Sequence, residues 1–143
     1  MTTKAAKAVD LFAGGLLCSQ SILMTYGPDH GLDEDSALRL ARPFGSGVAR
    51  MCDTCGAVSG AFMVLGLRYD DDNEKTAKET VYAKAQEFAR RFREKHGSTN
   101  CRELLDCDLG TGEGQSRFRD GNLIVRCNAY VRDAAEILED ILK

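Results

Sequence analysis

Apolar residues recur every three or four positions along most of the chain, and no segment alternates with a period of two. This spacing is typical of amphipathic helices. The clearest helix is predicted over residues 74–96 and ends at Gly97, a residue suited to a helix C-cap. Its apolar face comprises Ala77, Val81, Ala85, Phe88 and Phe92. A second clear stripe predicts the last helix over about 122–142. That stripe comprises Ile124, Cys127, Val131, Ala134, Leu138 and Ile141.

The N-terminal part of the chain predicts two helices separated by a Gly-Pro turn. Residues 3–26 are predicted to be helical, with Gly14-Gly15 inviting a break or a close helix crossing and Gly27-Pro28 ending the segment. Asp33 is expected to cap the next helix, because two further acidic residues follow in the favourable first turn. That helix should stop before Pro43.

The middle of the chain completes an all-α pattern. Residues 44–47, Phe-Gly-Ser-Gly, predict a flexible bend that leads into a helix rich in small residues, over about 51–67. A short helix is expected near 99–106, followed by a polar, Gly-rich loop at 108–121. We therefore expect an all-α protein with a single domain over residues 1–143, folded as an irregular bundle of five or six helices.

Composition and net charge exclude several classes of protein and of binding partner. The chain has 143 residues, 43% hydrophobic and 29% charged, which excludes a disordered or low-complexity sequence. Its formal net charge of -3 gives no reason to expect nucleic acid or an anionic membrane surface as a partner. The longest apolar run, 61–67, is too short to insert into a membrane, and the N-terminus has no signal-peptide core, so we expect a cytoplasmic protein. An exposed part of that run could support a homodimer, although burial within the monomer is the simpler expectation.

Six cysteines are too few for a disulfide scaffold in a chain of this length, and clustered thiols in a reducing compartment more often bind metal or perform redox chemistry. Cys18, Cys55 and Cys127 fall on predicted apolar helix faces, and Cys101 opens the predicted short helix. Interior positions of this kind can converge on one site in a bundle. The alternative for any single cysteine is that it is a small, inert core residue.

Cys52 and Cys55 form a CxxC at the predicted start of the small-residue helix, which would place both thiols within one turn. A helix N-terminus stabilises a thiolate, so Cys55 is predicted to be reactive. No βαβ pattern surrounds the motif, which argues against a thioredoxin setting. Gly56 stands where covalent c-type haem attachment requires His.

The sequence favours an iron–sulfur cluster over a structural zinc. Cys101 and Cys107 lack the two-residue spacer of a zinc ribbon, so a structural zinc is the weaker hypothesis. An iron–sulfur cluster needs about four thiolates that need not be consecutive in sequence. Cys18, Cys55, Cys101 and Cys127 could supply them if their helices converge. The two histidines, His30 and His96, are interpreted as structural or surface residues.

The pattern resembles the C_GCAxxG_C_C family, small chains described as putative redox-active proteins with four characteristic cysteines and a CGAxxG motif. Here that motif is residues 55–60, Cys-Gly-Ala-Val-Ser-Gly. The resemblance spans nearly the whole chain, including the segment from Gly14 to Cys18, the Phe-Gly-Ser-Gly bend and the runs that begin at Cys101 and Cys127. It assigns the family cysteines to Cys18, Cys55, Cys101 and Cys127, and it leaves Cys52 and Cys107 as accessory residues.

Three hypotheses for function follow. The first is a redox protein, in which Cys55 is the activated thiol and Cys18, Cys101 or Cys127 is its partner in a reversible disulfide; its electron partner would be a redox protein or a small molecule. The second is a non-catalytic module in which the same four cysteines bind an iron–sulfur cluster or zinc, with Cys52 and Cys107 as accessory ligands. In the third, all six cysteines are inert core residues of an interaction protein.

Overall fold

The computed structural model describes residues 1–143 and contains eight right-handed α-helices and no β-strand. The helices are α1 (Thr3–Ala13), α2 (Cys18–Tyr26), α3 (Glu34–Ala41), α4 (Gly56–Arg68), α5 (Glu74–His96), α6 (Cys101–Leu105), α7 (Gly112–Asp120) and α8 (Ile124–Leu142). The all-α class predicted from the sequence is confirmed. The expected count of five or six helices is wrong, because one predicted helix is divided and one predicted loop contains a helix.

The division falls where the sequence places a Gly-Gly pair. Gly15 adopts a left-handed φ of 111°, which ends α1, and Leu17 is extended before α2 begins at Cys18. The unpredicted helix is α7, which lies inside the segment expected to be a Gly-rich loop. Its N-terminus is capped by Thr111, whose hydroxyl accepts the Gly114 N–H at 2.9 Å. A cap and tertiary contacts therefore outweigh the low helix propensity of that segment.

The two helix boundaries with the strongest sequence signals are confirmed. Asp33 caps α3, its carboxylate accepting the Ser36 N–H at 3.0 Å. α3 ends at Ala41, two residues before Pro43. α5 covers the predicted residues 74–96 and ends at Gly97, whose φ of 84° is the left-handed C-cap conformation.

The prediction of a helix from about Met51 is wrong at its N-terminal end, since α4 begins at Gly56. The preceding residues instead run beside the chain before α6, with an isolated antiparallel bridge between Thr54 and Asn100. Two backbone hydrogen bonds hold this pairing, from Cys55 N–H to the Thr99 carbonyl at 2.8 Å and from Cys101 N–H to the Asp53 carbonyl at 2.6 Å. Because those backbone groups are used across the pair, they are not available to a helix.

Helix α2 lies at the centre of the fold, with seven of its nine residues buried. It is joined to α3 by hydrogen bonds from the Ser19 hydroxyl to the Ala41 carbonyl (2.7 Å) and from the Gln20 amide to the Leu38 carbonyl (3.0 Å). On its other side it packs against α4 through Gly60, where an added Cβ would lie 2.9 Å from the Ser19 carbonyl oxygen. The small residues of α4 thus permit a close helix crossing.

The apolar run 61–67 is buried at three of its seven residues, so its simpler interpretation, burial within the monomer, holds for only one part of it. Ala61, Val64 and Leu65 are fully buried, whereas Leu67 is 37% exposed. None of the helices has both the length and the apolarity needed to cross a membrane.

The α2–α4 crossing predicts opposite effects of the same substitution at two positions in α4. Gly60→Ala should lower the free energy of unfolding by about 1–3 kcal/mol, because the new methyl group overlaps the Ser19 backbone. Gly66→Ala is the matched control. It meets nothing within 4 Å and should raise the free energy of unfolding by up to about 1 kcal/mol through helix propensity. Urea denaturation of both variants tests this, and equal effects would contradict the close crossing.

Candidate functional site

One cavity of about 220 Å³ brings together the four cysteines that the sequence predicted as site residues. Cys18, Cys55, Cys101 and Cys127 all contribute to its wall. The rest of the wall is mainly apolar and includes Phe12, Leu16, Leu17, Leu104, Leu105, Leu109, Phe118, Ile124 and Tyr130. The cavity lies at the N-terminal ends of α2, α4 and α6 and beside the first turns of α8. The helices therefore converge as the site hypothesis required.

Cys18 and Cys55 lie next to each other in the cavity wall. Cys18 is the first residue of α2, and Cys55 is the residue immediately before α4. Both side chains line the cavity, and each thiol perturbs the pKa of the other. The contact is possible because Gly56 has no side chain: a Cβ there would overlap the Cys18 sulfur and lie 2.8 Å from the Phe44 carbonyl oxygen.

The two thiols of this pair differ in acidity. The hydrogen bond from Cys55, together with backbone N–H groups of Ser46 and Ser19, lowers the pKa of Cys18 to about 7. The pKa of Cys55 is raised well above its ordinary value, because its hydrogen bond to Cys18 and its burial both favour the protonated form. Cys18 is thus the member of the pair that ionises at the lower pH. The sequence-based expectation that Cys55 is the activated thiol stays a prediction.

The Ser46 N–H reaches Cys18 from a turn of left-handed helix that replaces the predicted flexible bend. Residues 46–49 all have positive φ, between 52° and 65°, and the Ala49 N–H donates to the Gly45 carbonyl at 2.9 Å. This conformation costs roughly 1–2 kcal/mol per non-glycine residue. At Gly47 a side chain is also excluded sterically, since a Cβ would lie 2.6 Å from both the Cys101 Cβ and the Cys52 Cα.

The predicted CxxC pair is not formed. Cys52 lies outside α4 with a left-handed φ of 56°, so it does not share a helical turn with Cys55. Its sulfur instead lies 3.8 Å from the sulfur of Cys101 and accepts the Leu109 N–H at 3.3 Å. The spacing of the motif is therefore misleading about which cysteines are neighbours.

Burial favours the neutral thiol at Cys101, Cys107 and Cys127. Burial raises the pKa of Cys101, with a further contribution from neighbouring Cys52, and burial raises the pKa of Cys127 to about 12. Burial also raises the pKa of Cys107, which lies outside the cavity. The pKa of Cys18 is instead lowered.

No three His, Cys, Asp or Glu side chains are grouped closely enough to form a ready-made metal site. Neither histidine lines the cavity. His96 is a structural residue, as interpreted from the sequence: its ring packs against Phe92 and Tyr130, and its Nε2 lies 2.8 Å from Asp133 Oδ2. The four cavity cysteines are therefore the candidate ligands for any metal or cluster at this site.

Sequence reasoning did not find the backbone groups of the site. Ser46 contributes its N–H, and Gly56 contributes the absence of a side chain. A signal for Gly56 was present, since glycine in a helix invites close approach, but the sequence does not say that a thiol is what approaches. No sequence signal predicts a left-handed turn at Ser46 and Val48, because neither residue favours positive φ.

Fold and site together define a small all-α protein with a cysteine-lined, otherwise apolar cavity. A comparison with family models gives a match over residues 16–141 to the family described as "Putative redox-active protein (C_GCAxxG_C_C)". The match covers most of the chain, and the chain belongs to this family. Neither a curated protein nor a solved structure matches it.

The acidity of Cys18 predicts a measurable pH profile. The rate at which iodoacetamide alkylates Cys18 should rise with a midpoint near pH 7, because the thiolate is the reactive form. Cys55→Ala removes the hydrogen-bond donor and should move the midpoint toward 9, whereas Cys55→Ser retains a donor and should shift it less. Mass spectrometry of the Cys18 peptide provides the measurement. A wild-type midpoint near 9 would contradict the assigned pair.

Proposed function

We propose that Cys18 and Cys55 form a reversible two-electron dithiol–disulfide couple, which makes this chain a thiol–disulfide oxidoreductase or electron carrier. The observation that supports it is that Cys18 and Cys55 line one cavity at the N-termini of α2 and α4, where the pKa of Cys18 is lowered. A low-pKa thiol beside a second, protonated thiol supplies both a nucleophile and a resolving group. Membership of a family described as redox-active is consistent with this chemistry.

The reaction is ordinary thiol–disulfide exchange. The Cys18 thiolate attacks one sulfur of a partner disulfide, a mixed disulfide forms, and the partner's other sulfur leaves as a thiolate. Cys55 then gives up its proton, attacks the Cys18 sulfur and releases the partner's remaining thiolate, which takes that proton. Two electrons have moved from the Cys18–Cys55 pair to the partner, and the reverse sequence restores the dithiol.

The roles follow from exposure as well as acidity. Cys18 is partly exposed, whereas Cys55 is buried. A partner disulfide can therefore reach Cys18 first, which makes Cys18 the attacking thiol and Cys55 the resolving thiol. This reverses the sequence hypothesis that Cys55 is the activated residue, while keeping both residues in the reaction.

The volume of the cavity limits the size of the group that can reach Cys18 and Cys55. Its volume of about 220 Å³ exceeds that of an engineered cavity of about 150 Å³ known to bind benzene, so a small apolar group fits beside Cys18. The partner would be a small molecule or a side chain presented by a redox protein. We further propose that the protein works in the cytoplasm, where reductants would return the pair to the dithiol.

A chromogenic aromatic disulfide tests the two roles separately. Wild-type protein should release two aryl thiolates for each Cys18–Cys55 pair. Cys55→Ser should release one and retain an aryl group on Cys18, because the resolving thiol is missing. Cys18→Ser should react at least about tenfold more slowly at pH 7, because it removes the thiol with a lowered pKa, whereas the pKa of Cys55, the other member of the pair, is raised.

Cys107→Ser is the control in this assay, since Cys107 lies outside the cavity and should leave the fast phase unchanged. Absorbance gives the rate, and the mass of the intact protein gives the adduct. A Cys18→Ser variant that reacts at the wild-type rate would overturn the proposal.

The second candidate function is a metal or iron–sulfur module held by Cys18, Cys55, Cys101 and Cys127. It is favoured by the observation that all four thiols line the same cavity. Metal and acid-labile sulfide analysis of protein purified without oxygen decides between the two. Near-stoichiometric iron or zinc, lost when any one of the four is replaced by Ser, would support the module and demote the dithiol to a reaction of the apo form.

A further inference from the structure

A second pair of thiols lies next to the first. The sulfurs of Cys52 and Cys101 are 3.8 Å apart, and both residues are buried. Cys101 also lines the cavity that contains Cys18 and Cys55, whereas Cys52 lies behind it and does not line the cavity. Cys101 therefore lines the cavity and also contacts Cys52, a thiol outside the cavity.

The backbones of Cys52 and Cys101 are already at bridging distance. Cys101 N–H donates to the Asp53 carbonyl at 2.6 Å, and Arg102 N–H donates to the Cys52 carbonyl at 3.3 Å. A Cβ added to Gly47 would lie 2.6 Å from both the Cys101 Cβ and the Cys52 Cα. These two atoms are therefore at most twice that distance apart. The separation of the two Cα atoms exceeds this limit by no more than one Cα–Cβ bond. A disulfide joins residues whose Cα atoms are about 4.4–6.8 Å apart, so side-chain rotation can close this one.

The surroundings of Cys52 suit a reacting sulfur. Its Sγ accepts the Leu109 N–H at 3.3 Å and lies 3.5 Å from the Cys107 carbonyl oxygen. A backbone donor of this kind stabilises negative charge as the thiol loses its proton. Because the neutral Cys52 thiol can donate a hydrogen bond to the Cys107 carbonyl, both protonation states have a partner in place.

We propose that Cys52 and Cys101 form a second dithiol–disulfide couple, which accepts the disulfide from Cys18–Cys55 and raises the capacity of the chain from two electrons to four. The proposal rests on the proposed function for the transfer step, although the second disulfide itself does not depend on it. Cys52 is one of the two cysteines that the resemblance leaves outside the family four, so this couple would be a property of this chain.

The transfer consists of two exchanges. Cys101 gives up its proton and attacks the Cys55 sulfur of the oxidised first pair. A Cys55–Cys101 bond forms, the Cys18–Cys55 bond breaks, and Cys18 leaves as the thiolate that its N–H donors stabilise. The Cys52 thiolate then attacks the Cys101 sulfur, a Cys52–Cys101 bond forms, and Cys55 leaves. Cys101 and Cys52 each release one proton. One of these protons returns to Cys55, and the other goes to Cys18 or to the solvent. Two electrons have moved from the Cys52–Cys101 pair to the Cys18–Cys55 pair.

The test is disulfide mapping of the wild-type chain, with diamide as the two-electron oxidant. After oxidation, acid quenching and alkylation, digestion with trypsin and with a protease that cleaves before Asp separates Cys52 from Cys55 at Asp53. Excess diamide should yield two bridges, Cys18–Cys55 and Cys52–Cys101, with Cys107 and Cys127 alkylated. One equivalent should give Cys18–Cys55 first, which then declines as Cys52–Cys101 rises by the same amount.

Two variants complete the design. In Cys52→Ser the Cys18–Cys55 bridge should persist after one equivalent of diamide, because its acceptor is absent. Cys107→Ser removes a neighbouring thiol and should behave as wild type. If Cys18–Cys55 forms while Cys52 stays fully alkylated in the wild-type chain, or pairs with Cys107, the second couple is wrong. If excess diamide yields Cys52–Cys101 while Cys18 and Cys55 stay alkylated, the second couple stands and the proposed function fails.

Discussion

The contact between α2 and α4 is the constraint on which the site depends. Helix α4 contributes glycine where it meets α2, at Gly56 beside the Cys18 sulfur and at Gly60 beside the Ser19 carbonyl. A methyl group at Gly56 would occupy the space of the sulfur itself. Because the first turns of the two helices pack together at this point, both helix N-termini lie beside one pair of cysteines, and helix N-termini favour negative charge. Packing and electrostatics are therefore set by the same few residues.

The left-handed turn before α4 has a cost that the rest of the site offsets. Positive φ at Ser46, Val48 and Ala49 is unfavourable for residues with a side chain. The turn is held by the backbone bond from Asp53 N–H to the Gly47 carbonyl at 2.7 Å and by contact of Gly47 with Cys52 and Cys101. In return it supplies the Ser46 N–H to Cys18. Strained backbone at a reactive group is a common form of preorganisation, and here it stabilises the thiolate.

The sequence predicts elements well where a local signal acts alone. The stripe of α5 with its Gly97 C-cap and the Asp33 cap of α3 are of this kind, and both are found. Prediction fails where long-range pairing decides. Residues 52–55 pair with 99–102, and this pairing delays the start of α4 and turns Cys52 away from Cys55. No signal within the CxxC motif could show that Cys101, 49 residues away, is the true neighbour of Cys52.

The sequence indicates which cysteines line the site, but it does not indicate the role of each one. Helical periodicity and the resemblance indicated four cysteines, and the structure places all four around one cavity. Which thiol is the anion depends on the donors that surround each sulfur. Cys18 has backbone N–H groups and the Cys55 thiol directed at it, whereas burial dominates at Cys101 and Cys127. Such donors belong to the backbone of distant segments, so side-chain patterns do not reveal them.

The most direct test of the central claim is a redox titration of the Cys52→Ser variant, which lacks the proposed second couple, in glutathione buffers and read by the intact mass of the alkylated protein. The account predicts that the first two thiols to be lost disappear together in a single two-electron step and that both lie in the Cys18–Cys55 pair. Loss of thiols one at a time as stable glutathione adducts, or a first bridge that excludes Cys18, would contradict it.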